Sequence, residues 1–286
     1  MERIHSHLLW LGIAGHIIGF ETVLMQAWRI REPIMWICEQ ITGNRKTYGM
    51  NLIGGVRRDI TAGQYPKIME VVGKIEIQLK ELIDAIAFDT TLHLRLKNVG
   101  ILTAEAAKRL CTVGPTTRGS GVAIDSRVNH PYAAYSQVPP RVISKPEGDV
   151  WARTLVRLEE TLESINIVRR ALEQMPAGET MADVKEIRPW REGIAYVEAP
   201  RGESVHYVLT GPDNRPYRWR VRAPTYANLQ AIPYMIKGNS IADAPIILGS
   251  IDPCFSCTER LEVVDTKTSK IKVYTQKELL EICRKR

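Results

Sequence analysis

The most informative part of this chain is the stretch Gly249-Ser250-Ile251-Asp252-Pro253-Cys254-Phe255-Ser256-Cys257-Thr258-Glu259-Arg260. Two cysteines three positions apart can direct both thiolates at one soft metal ion. The pair supplies only half of the four ligands that a zinc or iron–sulfur site usually takes. Taken alone, it is as compatible with a metal site as with an inert or thioredoxin-like pair.

The other cysteines do not complete such a site. Cys38, Cys111 and Cys283 each stand alone, without the second nearby thiol that a compact binding loop needs. An odd count of five cysteines without regular spacing fits a reducing compartment, where thiols stay available for metals.

The residues around the pair resemble the C-terminal signature of NiFe hydrogenase large subunits. Asp252-Pro253-Cys254 and Cys257-Thr258-Glu259-Arg260 carry this resemblance. Arginine at position 260, where other hydrogenases have histidine, is typical of the membrane-bound, energy-converting group. That group is homologous to the D-type subunit of complex I.

Four further blocks resemble the same family, so that the resemblance covers essentially the whole chain. They are residues 3–12 (RIHSHLLWLG), residues 51–59 (NLIGGVRRD), residues 114–121 (GPTTRGSG) with His130-Pro131-Tyr132, and residues 198–203 (EAPRGE) with residues 224–229 (PTYANL).

The resemblance implies an α+β fold that is mainly α. It has a helical-bundle core, as in hydrogenase large subunits and the D-type subunit of complex I, and a small antiparallel β-hairpin region. Residues 1–260 would form one domain, the C-terminal part of such a protein. Residues 261–286 would form a C-terminal extension that a maturation protease removes after Arg260 once nickel is inserted. The alternative is a permanent tail.

The family also implies roles for individual residues around a nickel–iron centre. Cys254 would be a terminal nickel ligand, and Cys257 would bridge nickel and iron. Arg201 would reach over the centre, and Asp252 would orient that arginine or the cysteine loop. Three further residues would surround the cofactor: Pro200, Thr225 and Ser250. A surface salt bridge remains the alternative for Arg201, and capping or turn roles remain open for Asp252, Thr225 and Ser250.

One part of the family pattern is missing. The upstream Arg-x-Cys-x-x-Cys motif, which supplies the other two metal ligands, has no counterpart here. A four-thiolate NiFe site therefore cannot be completed within this chain. Three explanations remain: an upstream polypeptide supplies the ligands, the chain is a fragment, or this relative has lost the metal.

The hypothesis from sequence is a redox subunit of a membrane-associated hydrogenase that interconverts hydrogen with protons and electrons. Electrons would pass to an iron–sulfur cluster in a small partner subunit, and membrane subunits would translocate ions. Two alternatives remain. One is a nickel-free relative of the D-type subunit of NADH–quinone oxidoreductase, which helps to form a quinone or acceptor pocket. The other is a non-catalytic scaffold.

Composition fits a globular protein of the cell interior. The 286 residues are 44% hydrophobic and 25% charged, with a formal net charge of +7. The basic residues are dispersed and no nucleic-acid module is recognisable, so an acidic partner is favoured over nucleic acid or lipid. No signal peptide is recognisable. We expect a cytoplasmic location, peripheral on the inner face of the membrane.

Periodicity predicts the main elements. Helices are expected over residues 3–42 (one or two), 66–88, 103–111 and 148–175, and over 226–237 with a kink or break at Pro233. Residues 193–209 and 215–223 are expected to form a hairpin, and residues 113–147 an irregular, ligand-approaching segment. Arg118 and Asp125 would form a charge relay or a loop anchor. His5, His7 and His16 are expected to be core residues, and Glu21 and Glu32 to be solvated side chains, with a proton path as the alternative.

Overall fold

The computed structural model describes residues 1–258, 263–264, 268, 271–272 and 274–284. Its contacts divide the chain into two units, Met1–Pro253 and Cys254–Arg286. The predicted domain boundary at residue 260 and the predicted cleavage after Arg260 lie outside the described residues. Both stay predictions.

Two consecutive helices form the N-terminal part, as predicted. Helix α1 spans Glu2–Ile17 and helix α2 spans Glu21–Thr42. The break falls at Gly19, whose φ of 81° lies in the left-handed region that favours glycine. Helix α2 ends at Gly43, which is also left-handed and donates its N–H to the carbonyl of Glu39. The two-residue strands β1 (Asn51–Leu52) and β2 (Gly55–Val56) follow.

A four-helix core organises the first unit. Helix α3 spans Tyr65–Ala87 and helix α8 spans Val150–Glu173, and each packs against α1 or α2 as well as against the other. The Asp149 side chain caps α8 by accepting a bond from the Ala152 N–H at 2.7 Å. The most deeply buried apolar side chains in this core include Ile4, Leu8, Ile34, Ile75, Leu79 and Ile165. Each contributes roughly 1.5–3 kcal/mol through burial.

The segment between α3 and α8 contains short helices. They are α4 (Thr90–Leu96), α5 (Ala104–Arg109), α6 (Pro115–Arg118) and α7 (Ser126–Asn129). Thr103 caps α5 as predicted, accepting a bond from the Ala106 N–H at 3.2 Å. Residues 113–147 are largely irregular, as expected, but Thr116, Thr117 and Arg118 are fully buried. This segment is therefore an interior element in its first part.

The predicted hairpin is a three-stranded antiparallel sheet. Its strands are β3 (Glu192–Ala199), β4 (Gly202–Thr210) and β5 (Pro216–Arg222), in the order β3-β4-β5. The prediction of one strand over residues 193–209 was wrong because a tight turn at Pro200 and Arg201 divides it. Gly202, with φ of 131°, takes a backbone conformation that other residues rarely adopt.

Short helices complete the first unit. Helices α9 (Pro224–Asn228) and α10 (Ile232–Ile236) are separated by a 3-10 turn, with Pro233 in the first turn of α10. The predicted break of the helix near Pro233 is thus confirmed. Helix α11 (Ala244–Ser250) leads to Asp252.

The second unit contains a 3-10 turn at Phe255–Thr258, the paired strands β6 (Val263–Val264) and β7 (Ile271–Lys272), and helix α12 (Gln276–Arg284). The predicted fold class, α+β and mainly α, is confirmed. Among the described residues, no helix is both long and apolar enough to cross a bilayer.

Candidate redox-metal site and the charges that support it

The turn between β3 and β4 holds Arg201 against the end of α11. Its Nε donates to the Asp252 carbonyl oxygen at 2.8 Å, and a terminal nitrogen lies 3.0 Å from Asp252 Oδ1. The Arg201 side chain is one quarter exposed, whereas Asp252 is almost completely buried. Two residues that the family resemblance assigned to one site are therefore in direct contact.

Asp252 retains unused acceptor capacity. Burial raises the pKa of its carboxyl group, and the nearby guanidinium groups of Arg201 and Arg157 only partly counteract this. Its Oδ2 is buried and accepts no hydrogen bond from any residue that the structure describes. Such an atom is uncommon in a folded protein, and it leaves room for one further donor.

Ser250 is held by two arginines of α8. Arg153 Nε donates to the Ser250 hydroxyl at 3.0 Å, and Arg157 donates to the Ser250 carbonyl at 2.8 Å. Arg153 also donates to the carbonyls of Gly148 and Gly100, both at 2.8 Å. The Ser250 hydroxyl is thus engaged in positioning the end of α11. Both arginines were missed in the sequence analysis.

The two α8 arginines lie in the interior without forming a salt bridge to any described residue. Burial lowers the pKa of Arg153 to about 9 and that of Arg157 to about 10. The Arg157 guanidinium lies 4.1 Å from the centre of the Trp10 ring. These arginines place positive charge next to the residues that precede Cys254 in the chain.

The remaining cofactor candidates of the first unit lie near Arg201 in sequence or at the start of α9. Pro200 is half-buried in the β3–β4 turn, directly before Arg201. Thr225 is the second residue of α9 and is 1% exposed. Their roles at a cofactor stay predictions.

Cys254 and Cys257 belong to the second unit. Both are half-buried, and the Cys257 N–H donates to the Cys254 carbonyl at 3.1 Å in the 3-10 turn. Cys254 Sγ lies 3.1 Å from the Ser256 hydroxyl. In the described part of the chain, no group of three or more histidine, cysteine or acidic side chains could hold a metal ion. Cys38 lies buried in α2, and Cys111 is exposed after α5.

A buried carboxylate, Glu160 of α8, forms the centre of an ionic network in the first unit. Its Oε1 accepts from Arg118 Nε at 2.6 Å, and its Oε2 accepts from His7 Nε2 at 3.0 Å and from Arg3 at 3.4 Å. Burial alone would raise the pKa of Glu160, but Arg118, His7 and Arg3 hold it well below its usual range. Burial lowers the pKa of His7 to about 3, so this histidine is neutral and Nε2 carries the donated proton.

Glu198, at the end of β3, extends this network towards the Arg201 turn. Its Oε1 accepts from Arg118 at 2.8 Å, and its Oε2 accepts from the Ser126 N–H at 3.0 Å. Its carbonyl accepts from Arg3 at 2.7 Å. We call these residues the Glu160–Glu198 network. It links α1, α6, α7, α8 and β3, so it fixes the strand that ends just before Pro200.

Arg118 and Asp125 are both part of this interior. The Arg118 guanidinium lies 3.7 Å from Asp125 Oδ2, and Arg127 binds both Asp125 oxygens, at 2.9 and 2.6 Å. Each of these side chains is at least 97% buried. The interpretation of Asp125 as a loop anchor therefore describes its contacts in this structure.

The histidines and glutamates on the N-terminal helices divide by burial. His5 and His7 are buried and bond Glu2 and Glu160, as expected for core residues. The expectation was wrong for His16, which is exposed because it lies at the end of α1, where it bonds Glu21 at 2.6 Å. Glu32 is exposed and pairs with Arg45.

Close backbone packing explains part of the glycine-rich block. Gly114 has φ of 68°, and a Cβ there would collide with the backbone of Arg201 and Gly202. A neighbouring cavity of about 630 Å³ is lined by Glu198, Glu203 and Tyr226 among others. The glycine thus lets the buried α6 segment support the turn that carries Arg201.

Comparison with known proteins agrees with this architecture. Residues 18–194 and 187–260 match the family described as the 49 Kd subunit of respiratory-chain NADH dehydrogenase. The chain belongs to this family. The resemblance to the complex I lineage is therefore confirmed.

Hydrogenase subunits are among its relatives. The chain is 41% identical to formate hydrogenlyase subunit 5 of Escherichia coli, over 98% of this chain and 49% of that protein. It is 40% identical to the membrane-bound hydrogenase subunit alpha of Pyrococcus furiosus, over 99% of this chain and 69% of that protein. The chain spans about half the length of the E. coli relative.

A solved structure shares the fold. It is the membrane-bound sulfane sulfur reductase, an archaeal respiratory membrane complex, with a TM-score of 0.81 and 28% sequence identity. The match covers 89% of this chain and 74% of the other. The helical core of the family is therefore confirmed for this chain.

Proposed function

We propose that this chain forms part of the large subunit of a membrane-associated NiFe hydrogenase, which interconverts hydrogen with protons and electrons. The observation that carries the proposal is the contact between Arg201 and Asp252, a residue two positions before Cys254, in a chain related to membrane-bound hydrogenase subunits.

The donor chemistry supports a nickel–iron centre. Thiolates are the soft ligands that such metals favour, and Cys254 and Cys257 can supply two of them. Asp252 Oδ2 is buried without a bond among the described residues, as expected where a further donor is to be accommodated. The residues present therefore fit this group as a partial ligand set.

Each residue has a separate task in this proposal. Cys254 and Cys257 would hold the metals, which when bound supply the redox chemistry of hydrogen. Asp252 fixes the Arg201 guanidinium through two contacts, so that a positive charge stays oriented while one quarter of the side chain remains accessible. Pro200, Thr225 and Ser250 would shape the surroundings of the cofactor.

The proposal requires partners. An upstream polypeptide, or a part of the protein beyond this chain, would supply the other two cysteine ligands. An iron–sulfur small subunit would take the electrons, membrane subunits would couple the transfer to ion translocation, and a protease would remove the C-terminal extension. The location would be the cytoplasmic face of the membrane. Relatives named as parts of membrane-bound complexes support this assignment.

Hydrogen-dependent dye reduction by the purified native complex tests the proposal. Cys254→Ser should lower the rate at least about a hundredfold, since even residues that only support metal ligands cost 10- to 100-fold. Cys111→Ser, at an exposed cysteine, is the matched control and should keep the rate. Intact-mass measurement should find the active chain ending at Arg260. Full activity of Cys254→Ser would contradict the proposal.

A nickel-free oxidoreductase subunit is the second candidate. The family match to an NADH dehydrogenase subunit and the fold shared with a sulfane sulfur reductase favour it. This candidate predicts a complex without hydrogen activity that retains residues 261–286.

A further inference from the structure

The β3–β5 sheet is open to solvent on both faces, since all of its residues except Glu198 and Gly202 are exposed or half-buried. Large apolar side chains on it are strongly exposed: Tyr217 by 67%, Trp219 and Ile194 by 59%, and Val221 by 54%. Isolated exposed apolar residues are ordinary, but three of these four lie on the single strand β5, and such a group indicates an interaction surface.

Strand β5 separates charge from apolar surface. Because successive side chains of a strand point to opposite faces, Arg218, Arg220 and Arg222 share one face. Tyr217, Trp219 and Val221 share the other. The strand therefore has a basic face and an apolar face, back to back.

The neighbouring strand leaves the outer arginines available. Arg222 pairs with Glu203 of β4. Arg220 and Arg218 stand opposite Tyr207 and Leu209, and neither guanidinium group forms a hydrogen bond or salt bridge to any residue that the structure describes. Two cations thus lie beside uncharged neighbours at the outer end of the sheet.

Strand β5 is also an edge. It pairs with β4 on one side, and in the described part of the chain no strand pairs with its other side. An edge strand with exposed aromatic side chains can accept a further strand through its main-chain groups.

We propose that a partner subunit adds a strand to the free edge of β5, and that acidic residues alternate with apolar residues along this strand. Its acidic side chains lie beside Arg218 and Arg220, and its apolar side chains lie beside Tyr217, Trp219 and Val221. Opposite charges and aromatic pairs on adjacent strands both stabilise such pairing.

Other occupants fit less well. A nucleic acid or an anionic membrane would engage the arginines and leave the apolar face on the other side of the sheet uncovered. A second copy pairing through the same edge would bring arginine next to arginine, which is destabilising. The proposal goes beyond the proposed function, because it holds whether or not the complex contains nickel.

Site-specific photocrosslinking in the assembled native complex tests the proposal. The photoreactive residue p-benzoylphenylalanine replaces Tyr217, and the crosslinked peptide is sequenced. We expect a peptide of another subunit in which acidic and apolar residues alternate. The same probe at Phe88, an exposed aromatic residue at the end of α3, should not capture that peptide.

Charge-reversal variants provide a second test of the proposal. Arg218→Glu with Arg220→Glu should lower the yield of the Tyr217 crosslink at least about tenfold, since like charges at an interface cost several kcal/mol. Arg29→Glu with Lys237→Glu reverses two exposed cations elsewhere and should keep the yield within about twofold. If the reversal unfolds the sheet, the milder pair Arg218→Gln with Arg220→Gln replaces it and should still lower the yield.

Several results would overturn the proposal. They are a crosslink to a second copy, to lipid or to nucleic acid, no crosslink in the assembled complex, a captured peptide without acidic residues, and a yield that is unchanged in the arginine variants. Because the Trp190 ring lies 5.2 Å from that of Tyr217, crosslinks within the polypeptide overturn the proposal only if no other subunit is captured.

Discussion

Glu160 and Asp252 are both buried carboxylates next to arginines, yet their pKa values shift in opposite directions. The pKa of Glu160 is held well below its usual range, whereas burial raises that of Asp252. Glu160 has partners on both oxygens, while Asp252 has one oxygen without a bond among the described residues. A buried carboxylate that holds elements together needs partners on both oxygens, and Asp252 instead retains capacity for another donor.

The largest expected effect is the difference in stability between variants of these two residues. Glu160→Gln leaves the buried Arg3 guanidinium without its carboxylate partner and removes one of the three carboxylates around Arg118, and should lower the free energy of unfolding by about 3–5 kcal/mol. Asp252→Asn removes a charge that burial disfavours, as its raised pKa indicates, and should therefore cost less than Glu160→Gln. Asparagine also tolerates the positive φ of this position. Urea unfolding at pH 7 measures both, and equal costs would contradict the comparison.

The next largest effect concerns the packing of Gly114 against the turn that carries Arg201. Gly114→Ala should lower the free energy of unfolding by about 2 kcal/mol, because φ is positive there and a Cβ collides with the backbone of Arg201 and Gly202. Gly63→Ala is the matched control, since a Cβ at Gly63 meets no atom within 4 Å. Thermal unfolding of both variants measures the difference, and similar melting temperatures would contradict this packing.

Lowering the pH tests how the Glu160–Glu198 network contributes to stability. Burial lowers the pKa of His7 to about 3, from the usual value of 6.5, so the unfolded chain binds a proton that the folded chain excludes. Stability should therefore be complete above pH 6.5 and fall towards pH 3, by up to about 1.4 kcal/mol per pH unit. Because the pKa of Glu160 is lowered in the folded protein, stability falls further below the unfolded pKa of this group, about 4.3.

Two histidine variants identify which group causes this dependence of stability on pH. His7→Gln should flatten the dependence between about pH 6.5 and 4.5, where the unfolded histidine takes up its proton. His16→Gln, at an exposed histidine, should leave it unchanged. The free energy of unfolding, measured across this pH range, tests the prediction. If stability still falls as the pH is lowered in His7→Gln, His7 is not the cause.

The smallest expected effect on stability concerns Arg201. Arg201→Lys should change the free energy of unfolding by less than about 1 kcal/mol, because the side chain is partly exposed. Hydrogen-dependent dye reduction by the complex should nevertheless fall about 10²-fold or more, as expected when an oriented donor is lost. Arg95→Lys, in a surface pair with Asp243, should change neither. A large loss of stability with unchanged activity would indicate a structural role for Arg201 and would contradict its assignment to the proposed site.

Much of the fold could be predicted because the helices carry regular apolar positions. Residues 66–88 repeat isoleucine, leucine and valine at helical spacing, and the helix formed as expected. The third strand was missed because alternation continues across Pro200 and Arg201. Only the turn, with Gly202 in a positive-φ conformation, shows that the chain reverses there.

The motif residues indicated the site, but not what supports it. Arg201 and Asp252 meet as the family resemblance implied. Glu160 was missed because polar residues on a long helix usually face solvent. A signal was present: Arg153, Arg157, Glu160 and Ser164 recur at spacings of four, three and four residues and so share one helix face. Their burial depends on contacts with distant segments, which helical periodicity alone cannot reveal.

The most direct test of the central claim is elemental analysis of the purified native complex for nickel and iron, with Cys254→Ser as the comparison. The account predicts about one nickel per complex, lost in the Cys254→Ser complex. A complex without nickel in the wild-type protein would contradict the claim that Cys254 and Cys257 hold a nickel–iron centre.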